Sequence, residues 1–482
     1  MKKNLLSTGI KSLDEILRGG LIPGRFYLMR GGPGTGKTTL GLHFLIEGLK
    51  SNEKILLVTM TEDIKKIKDN GKEFNFPMDE INYIDLSPSE DFIAKNKDYD
   101  VFLSAQNEQK PLINKLINKI EELKPDRILF DGFTQLKYLS SDQFKFRKQI
   151  LSFMQFLKRY DSTILLTSEA SPSKPDDDLQ FMVDGIINIS YENQNHYLEI
   201  KKYRGSSFNK GKHTMKFKKD GIKIYPQLEL QKTNFNYETE LLSFGISEID
   251  KLLYGGIEKG TTTIISGPTG VGKTSLGTQF IAANGGNDLK SIIYTFEECY
   301  KTLIGRSNSI NIPLEQFISK DKIFIKEISP IEYTPSEFAY EIVQDVKEKD
   351  ISIILIDSIT GYFLTFNDSN NIQKMIAKFH SLCEYLKKQG VTVLMINEQN
   401  KITGDFQATE MQTSFIADNL IFLRYLEING KLKKSIGVLK KRMSGFENTL
   451  RDFEITEKGI KVGDPLTELR GILSGNPEFI NK

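Results

Sequence analysis

Two short stretches carry the residue types needed to hold a row of phosphates. Residues 31–38 read GGPGTGKT and residues 267–274 read GPTGVGKT, both in the G-x-x-x-x-G-K-T spacing. Gly31, Gly34 and Gly36 in the first, and Gly267, Gly270 and Gly272 in the second, let backbone N–H groups wrap phosphate oxygens with no β-carbon in the way. Lys37 and Lys273 offer a cation to the β- and γ-phosphates, and the hydroxyls of Thr38 and Thr274 are placed to ligate Mg²⁺. Thr39 and Ser275 follow in the same turns and complete the expected nucleotide-binding set. Each stretch comes after an apolar run and opens a helical one, which is the context a phosphate loop requires. The chemistry is that of ATP with Mg²⁺.

A carboxylate on the metal side is needed as well, acting through water. Asp131 closes the run RILFD and Asp357 closes IILID, and open α/β sheets build their ligand crevice at that end of the strands. A second acidic group ends another strand: Thr61-Glu62 in the first half and Glu297-Glu298 in the second. A carboxylate there would lie near the γ-phosphate and could polarise a water or a hydroxyl nucleophile. The same residues equally fit a role as negative charge on the N-terminus of the following helix.

The elements that must position these groups occur twice. Ser7, Gly9, Asp14, Gly20 and Lys37 recur as Ser243, Gly245, Asp250, Gly256 and Lys273, always 236 positions on. A period of that length signals duplicated domains. Short β-branched runs fall at 26–30, 55–60, 127–131, 163–167 and 185–190, and again at 262–266, 292–295, 351–357, 391–396 and 419–423, with helical stretches between them. That alternation predicts an α/β fold, each half a mainly parallel sheet covered by helices on both faces. Alternating segments at the end of each half, such as 196–204 and 213–225, predict terminal antiparallel hairpins. The expected division is a first ATPase domain over 1–226, a polar linker over 227–240, and a second ATPase domain over 241–482 with a short C-terminal tail.

Composition narrows the class. With 482 residues, 39% hydrophobic and 27% charged, the chain reads as globular and multidomain. Its net charge of +2 argues against a dedicated nucleic-acid binder, and the basic run 210–223 reads as the wet face of a hairpin. Two isolated cysteines, Cys299 and Cys383, form no disulfide framework or zinc motif and fit a reducing compartment. The N-terminus lacks the apolar core of a signal peptide, and no run of about 18 apolar residues would cross a membrane. The cytoplasm is the expected location.

Together, two phosphate loops each preceded by S-x-G-I-x-x-x-D, a strand ending in an acidic pair, a D-S after the second metal-side strand and a K-x-R in the terminal hairpin resemble the KaiC family of RecA-like ATPases and autokinases. The resemblance implies Glu297 and Glu298 as catalytic base in the second domain. In the first it leaves Glu62, with Thr61 in place of the other glutamate. It implies that Lys202 with Arg204, and Lys440 with Arg442, reach into the nucleotide site of a neighbouring subunit, so the active form is a homohexameric ring. The family's phosphorylated hydroxyls fall on Ser414 and Thr409, while the second member of the Ser-Thr pair is Phe415, so a serine/threonine autokinase with fewer modification states is expected. The implied role is a signalling or timing switch with a KaiB-like or other signalling partner. The sequence after LRGILSGNP departs from the KaiA-binding tail, which argues against a KaiA-type partner. Two other readings stand beside the autokinase: an ATP-dependent signalling scaffold that phosphorylates nothing, and a RecA-type nucleic-acid-dependent ATPase.

Overall fold

A computed structural model of the chain describes residues 5–87, 116–135, 143–169, 176–229, 240–366, 372–399, 413–428, 430–470 and 478–480. The chain divides into two compact units, Met1–Gln227 and Leu228–Lys482.

The first unit is built on β1 (Phe26–Gly31), β2 (Ile55–Thr59), β3 (Asn82–Asp85), β4 (Arg127–Asp131), β5 (Thr163–Glu169), β6 (Gly185–Glu192), β7 (Asn195–Tyr203), β8 (His213–Lys218) and β9 (Gly221–Tyr225). They form one sheet in the order β3-β2-β4-β5-β1-β6-β7-β8-β9. From β3 to β6 every pairing is parallel, and β6 to β9 pair antiparallel. Every residue of β2 and β4 is buried. A strand covered on both faces has no polar side to show, so these segments read as continuous apolar runs. Leu57 and Leu129 belong to the core on one face, and Leu56, Val58, Ile128 and Phe130 to the core on the other.

The second unit repeats the plan. Its large sheet runs β14 (Ile323–Glu327), β13 (Ser291–Thr295), β15 (Ile353–Asp357), β16 (Thr392–Gln399), β12 (Thr262–Pro268), β17 (Asn419–Ile428), β18 (Lys431–Lys441), β19 (Arg451–Thr456), β20 (Gly459–Pro465). The parallel part extends from β14 to β17. A two-stranded ribbon, β10 (Leu241–Leu242) with β11 (Ile257–Glu258), precedes it, and the single bridge Leu6↔Leu21 is its counterpart in the first unit. Both sheets are mainly parallel with terminal antiparallel hairpins, as the sequence predicts.

Two edge strands, β3 and β14, were not expected. Their mixed burial leaves no continuous apolar run to read. The hairpin β17–β18 is also longer than its apolar start suggests, pairing from Asn419↔Lys441 to Ile428↔Lys431. Among the described residues no helix is long and apolar enough to cross a membrane.

The residues that repeat between halves have a structural task. Ser7 Oγ donates to Asp14 Oδ2 at 2.7 Å and Thr8 N to Asp14 Oδ1 at 2.8 Å; Ser243 and Phe244 make the same bonds to Asp250 at 2.5 and 2.9 Å. Gly9 lies so close to the His43 carbonyl of the phosphate-loop helix Lys37–Lys50 that a β-carbon would collide with it. This brace fixes the helix that carries the lysine.

Candidate nucleotide sites

Each phosphate loop joins the C-terminal end of a central strand, β1 or β12, to a helix, Lys37–Lys50 or Lys273–Gly285. Gly36 and Gly272, at φ +93° and +116°, are the left-handed residues that turn the chain into these helices, a conformation that costs glycine least. Gly31 and Gly267 pass under the carbonyls of Ile189 and Leu423, where a β-carbon would not fit. The loop sequence is therefore set by sterics before any ligand arrives.

Lys37 Nζ donates to the carbonyls of Gly31 and Gly32 at 2.9 and 2.7 Å, and Lys273 Nζ to that of Pro268 at 2.8 Å. Burial holds both ammonium groups below the usual lysine range, against the opposing pull of nearby carboxylates. Thr38 Oγ1 donates to Asp131 Oδ2 at 2.8 Å, and Thr274 Oγ1 to Asp357 Oδ2 at 2.7 Å. A hydroxyl and a carboxylate in direct contact, beside a loop that wraps phosphate, fit a small hard cation held partly through water. Among the described residues no group of three or more His, Cys, Asp or Glu could hold a metal alone. Desolvation pushes the Asp357 carboxyl up to about 6, with the charges of Glu297 and Glu298 acting in the same direction. Thr39 and Ser275 follow in the first turn of their helices. Thr39 lines the first site's cavity, and Ser275 is buried.

That first cavity is about 520 Å³, ample for a nucleotide, and is walled by Thr61, Asn70, Phe74, Asp131, Glu169 and Phe217 among others. Phe217 belongs to β8, so the hairpin of the basic run closes one side of the site. Lys218 and Lys223 of that hairpin face solvent, while its His213 is buried.

The two acidic strand ends differ. Thr59 Oγ1 donates to the Glu62 carbonyl at 2.6 Å and Thr295 Oγ1 to the Glu298 carbonyl at 2.9 Å, so the turns are built alike and Glu62 corresponds to Glu298. Glu297 Oε1 accepts the Ser358 hydroxyl at 2.7 Å. Glu298 turns instead to the Arg306 guanidinium, on the helix Tyr300–Ser309. The pair thus separates into one carboxylate beside Asp357 and one tied to a cation. Arg306 and Thr167, whose hydroxyl donates to Asp131 Oδ1 at 2.7 Å, went unread in the sequence, and Ser358 was read only as the serine of the D-S pair, not as a partner of Glu297. Glu298 precedes the helix that carries Arg306, so no helical spacing linked the two.

A sequence model of the KaiC ATPase family matches the chain twice, over residues 6–229 and 242–467. The chain belongs to the KaiC family. Among curated relatives, the circadian clock oscillator protein KaiC of Parasynechococcus marenigrum is 27% identical, covering 100% of this chain and 94% of the relative. The circadian clock protein KaiC3 of Synechocystis is 25% identical, covering 98% and 94%. KaiC of Synechococcus elongatus is 26% identical, covering 98% and 92%. As a KaiC-family protein with two intact phosphate loops, it is an ATP-binding ATPase.

The remaining KaiC-type positions lie elsewhere on each sheet. Lys202 is the penultimate residue of β7 and pairs with Ile186 near the start of β6; Lys440 pairs with Leu420 near the start of β17. Both stand at the N-terminal edge of the parallel strands, opposite the phosphate loops. There they hold backbone of their own domain. Lys202 Nζ donates to the Gln180 carbonyl at 2.7 Å, and Lys440 Nζ to those of Ser414 and Ala417 at 2.9 and 2.6 Å. Arg442 donates to the Phe415 carbonyl at 2.9 Å, and the exposed Arg204 lies just past β7. Ser414 sits in the single turn Thr413–Phe415 at this same edge. Phe415 is 51% exposed with its ring 5.7 Å from His380. Thr409 lies outside the described residues.

Proposed function

We infer that this KaiC-family ATPase acts as an autokinase in a homohexameric ring. The second domain of one subunit transfers the γ-phosphate of ATP to Ser414 of the next, with Thr409 a lesser acceptor, and the mark serves as a signalling or timing state. The observation that carries this reading is the position of the K-x-R cations and Ser414 relative to the phosphate loop. They lie at opposite edges of the parallel part of one sheet, and the seven residues of β12 alone span about 20 Å. Within one chain the two ends do not meet, whereas a head-to-tail ring sets each edge against the other.

In that arrangement Glu297 takes the proton of the Ser414 hydroxyl as its oxygen bonds to the γ-phosphorus. The bond to the β-phosphate oxygen breaks, and the ADP oxyanion leaves onto Lys273 and the loop N–H groups. Thr274 and Asp357 would hold the Mg²⁺ of Mg-ATP, as would Thr38 and Asp131 in the first domain, and the ion would supply positive charge to the reacting phosphates. Lys440 and Arg442 must release their own carbonyls to meet a neighbour's phosphates, which makes assembly and activity interdependent. The free thiols of Cys299 and Cys383 suit a cytoplasmic protein, and the expected partner is a KaiB-like or other signalling protein that reads the ring.

Phe415 favours a second reading, a nucleotide-state scaffold, because one acceptor hydroxyl is replaced by an exposed ring. Mass spectrometry of the protein after incubation with Mg-ATP separates the two. Phosphate on Ser414 that disappears in Ser414→Ala and in Glu297→Gln supports the kinase. ATP hydrolysis with no phosphoprotein leaves the scaffold.

A further inference from the structure

The two sites bind with the same parts but differ in the group that would activate a nucleophile. Strand register fixes the comparison: Thr59 pairs with Asp131 and Thr295 with Asp357, and each threonine hydroxyl holds the turn that follows. Thr61 therefore stands where Glu297 does. In the second site Glu297 is held by the Ser358 hydroxyl at 2.7 Å, and its charge bears on both Lys273 and Asp357. In the first, Gly132 replaces Ser358, at φ +81° and so close to Thr61 that a β-carbon would strike the threonine methyl. Carboxylate and anchor are lost together. Glu62 corresponds to Glu298 and lines the cavity, with Asn70 standing where Arg306 does, but it is one position past that of Glu297, and the carboxylates whose charge reaches Lys37 are Asp131 and Glu169. The binding parts are intact: left-handed Gly34 and Gly36, the Thr38–Asp131 bond of 2.8 Å, and a cavity of about 520 Å³.

We propose that the first domain is a retaining site, which takes up ATP and keeps it unhydrolysed, while the second domain carries the turnover. This rests on the ATPase reading of both loops. A positioned general base contributes roughly 10²–10⁴-fold to such a step, and its absence turns a catalytic site into a holding one. Bound ATP in the first domain stabilises the folded state through its binding energy without being spent.

The protein is incubated with Mg-ATP until the bulk nucleotide is exhausted, desalted and quenched in acid, and bound ATP and ADP are separated by chromatography. One intact ATP per chain is expected. Glu297→Gln should lower steady-state hydrolysis by about 100-fold with nucleotide content unchanged, and adding Thr61→Glu to that variant should raise hydrolysis again. Bound nucleotide recovered solely as ADP overturns the proposal. So does a Glu297→Gln protein that keeps half or more of its hydrolysis, including by way of Glu62 or Glu169 (detected as loss on adding Glu62→Gln or Glu169→Gln). A Thr61→Glu addition that binds nucleotide and gains nothing overturns Thr61 as the cause. A wild-type protein that binds no nucleotide at all refutes the ATPase reading itself, a result distinct from each of these.

Discussion

Replacing Lys273 with Met keeps the length of the side chain and removes its charge. Lys273 is 8% exposed, so the field it exerts on a bound triphosphate is only partly screened. A unit charge about 4 Å from a phosphate oxygen, at an effective dielectric near 20, contributes about 4 kcal/mol. Part of this is already offset, because burial is the largest influence on Lys273 and opposes its charged form. A net loss of about 3 kcal/mol in ATP binding is expected, more than a hundredfold in Kd. The same burial implies that the ligand-free variant melts at or above the wild-type temperature, since a neutral thioether relieves the desolvation. Titration calorimetry with Mg-ATP should show two sites per chain in wild type and one in the variant, at concentrations that saturate the former. A second-domain Kd within threefold of wild type, in a protein of normal melting temperature, would refute the assignment of Lys273 to the phosphates.

Burial lowers the His43 imidazole to about 4, and in the fold its Nε2 accepts the Ile222 N–H at 2.9 Å. The unfolded chain binds the proton first, so this stability is complete above pH 6.5 and is lost by the time pH falls through about 4. About 3 kcal/mol is at stake, and denaturation of wild type and His43→Gln across that window should show the slope flattened in the variant. Arg127 is 1% exposed and donates to the Ser7 and Phe44 carbonyls at 2.7 and 2.9 Å while pairing with Glu53. Arg127→Met strands those partners and should cost about 3–5 kcal/mol in the first domain, read as a lower denaturant midpoint. Light scattering should find a hexamer in Mg-ATP and a smaller species in Arg204→Ala/Arg442→Ala; a monomer in wild type under saturating Mg-ATP would return those arginines to surface roles.

Much of this molecule could be read along the chain because its chemistry is local there. A phosphate loop lies within eight consecutive residues, and its glycines are demanded by the backbone turn itself. Asp131 and Asp357 were legible for a related reason, as polar residues ending fully buried strands. The contacts of Ser358 and Arg306 with the glutamates were not, since one is made through sheet pairing and the other between a helix and the turn before it, and neither neighbourhood leaves a periodic trace. The edge strands β3 and β14 escaped because half-exposed edges carry mixed residues.

The duplication makes the limit of sequence reading concrete. Ser7 with Asp14 and Ser243 with Asp250 keep the same brace at nearly the same distances, as they must, because both support a helix bearing an essential lysine. The acidic position is under no such demand. Thr61 packs against Gly132 as well as Glu297 bonds Ser358, and the fold accepts either. A resemblance that treats Thr61-Glu62 as a weakened form of Glu297-Glu298 counts one carboxylate as surviving. The register assigns that survivor to the position of Glu298; it lines the cavity, but the position of Glu297, beside the metal-side aspartate, carries no charge. What distinguishes the two domains is therefore that the second keeps both adjacent charges and the first only the later one, a difference whose meaning is set by strand pairing and not by composition.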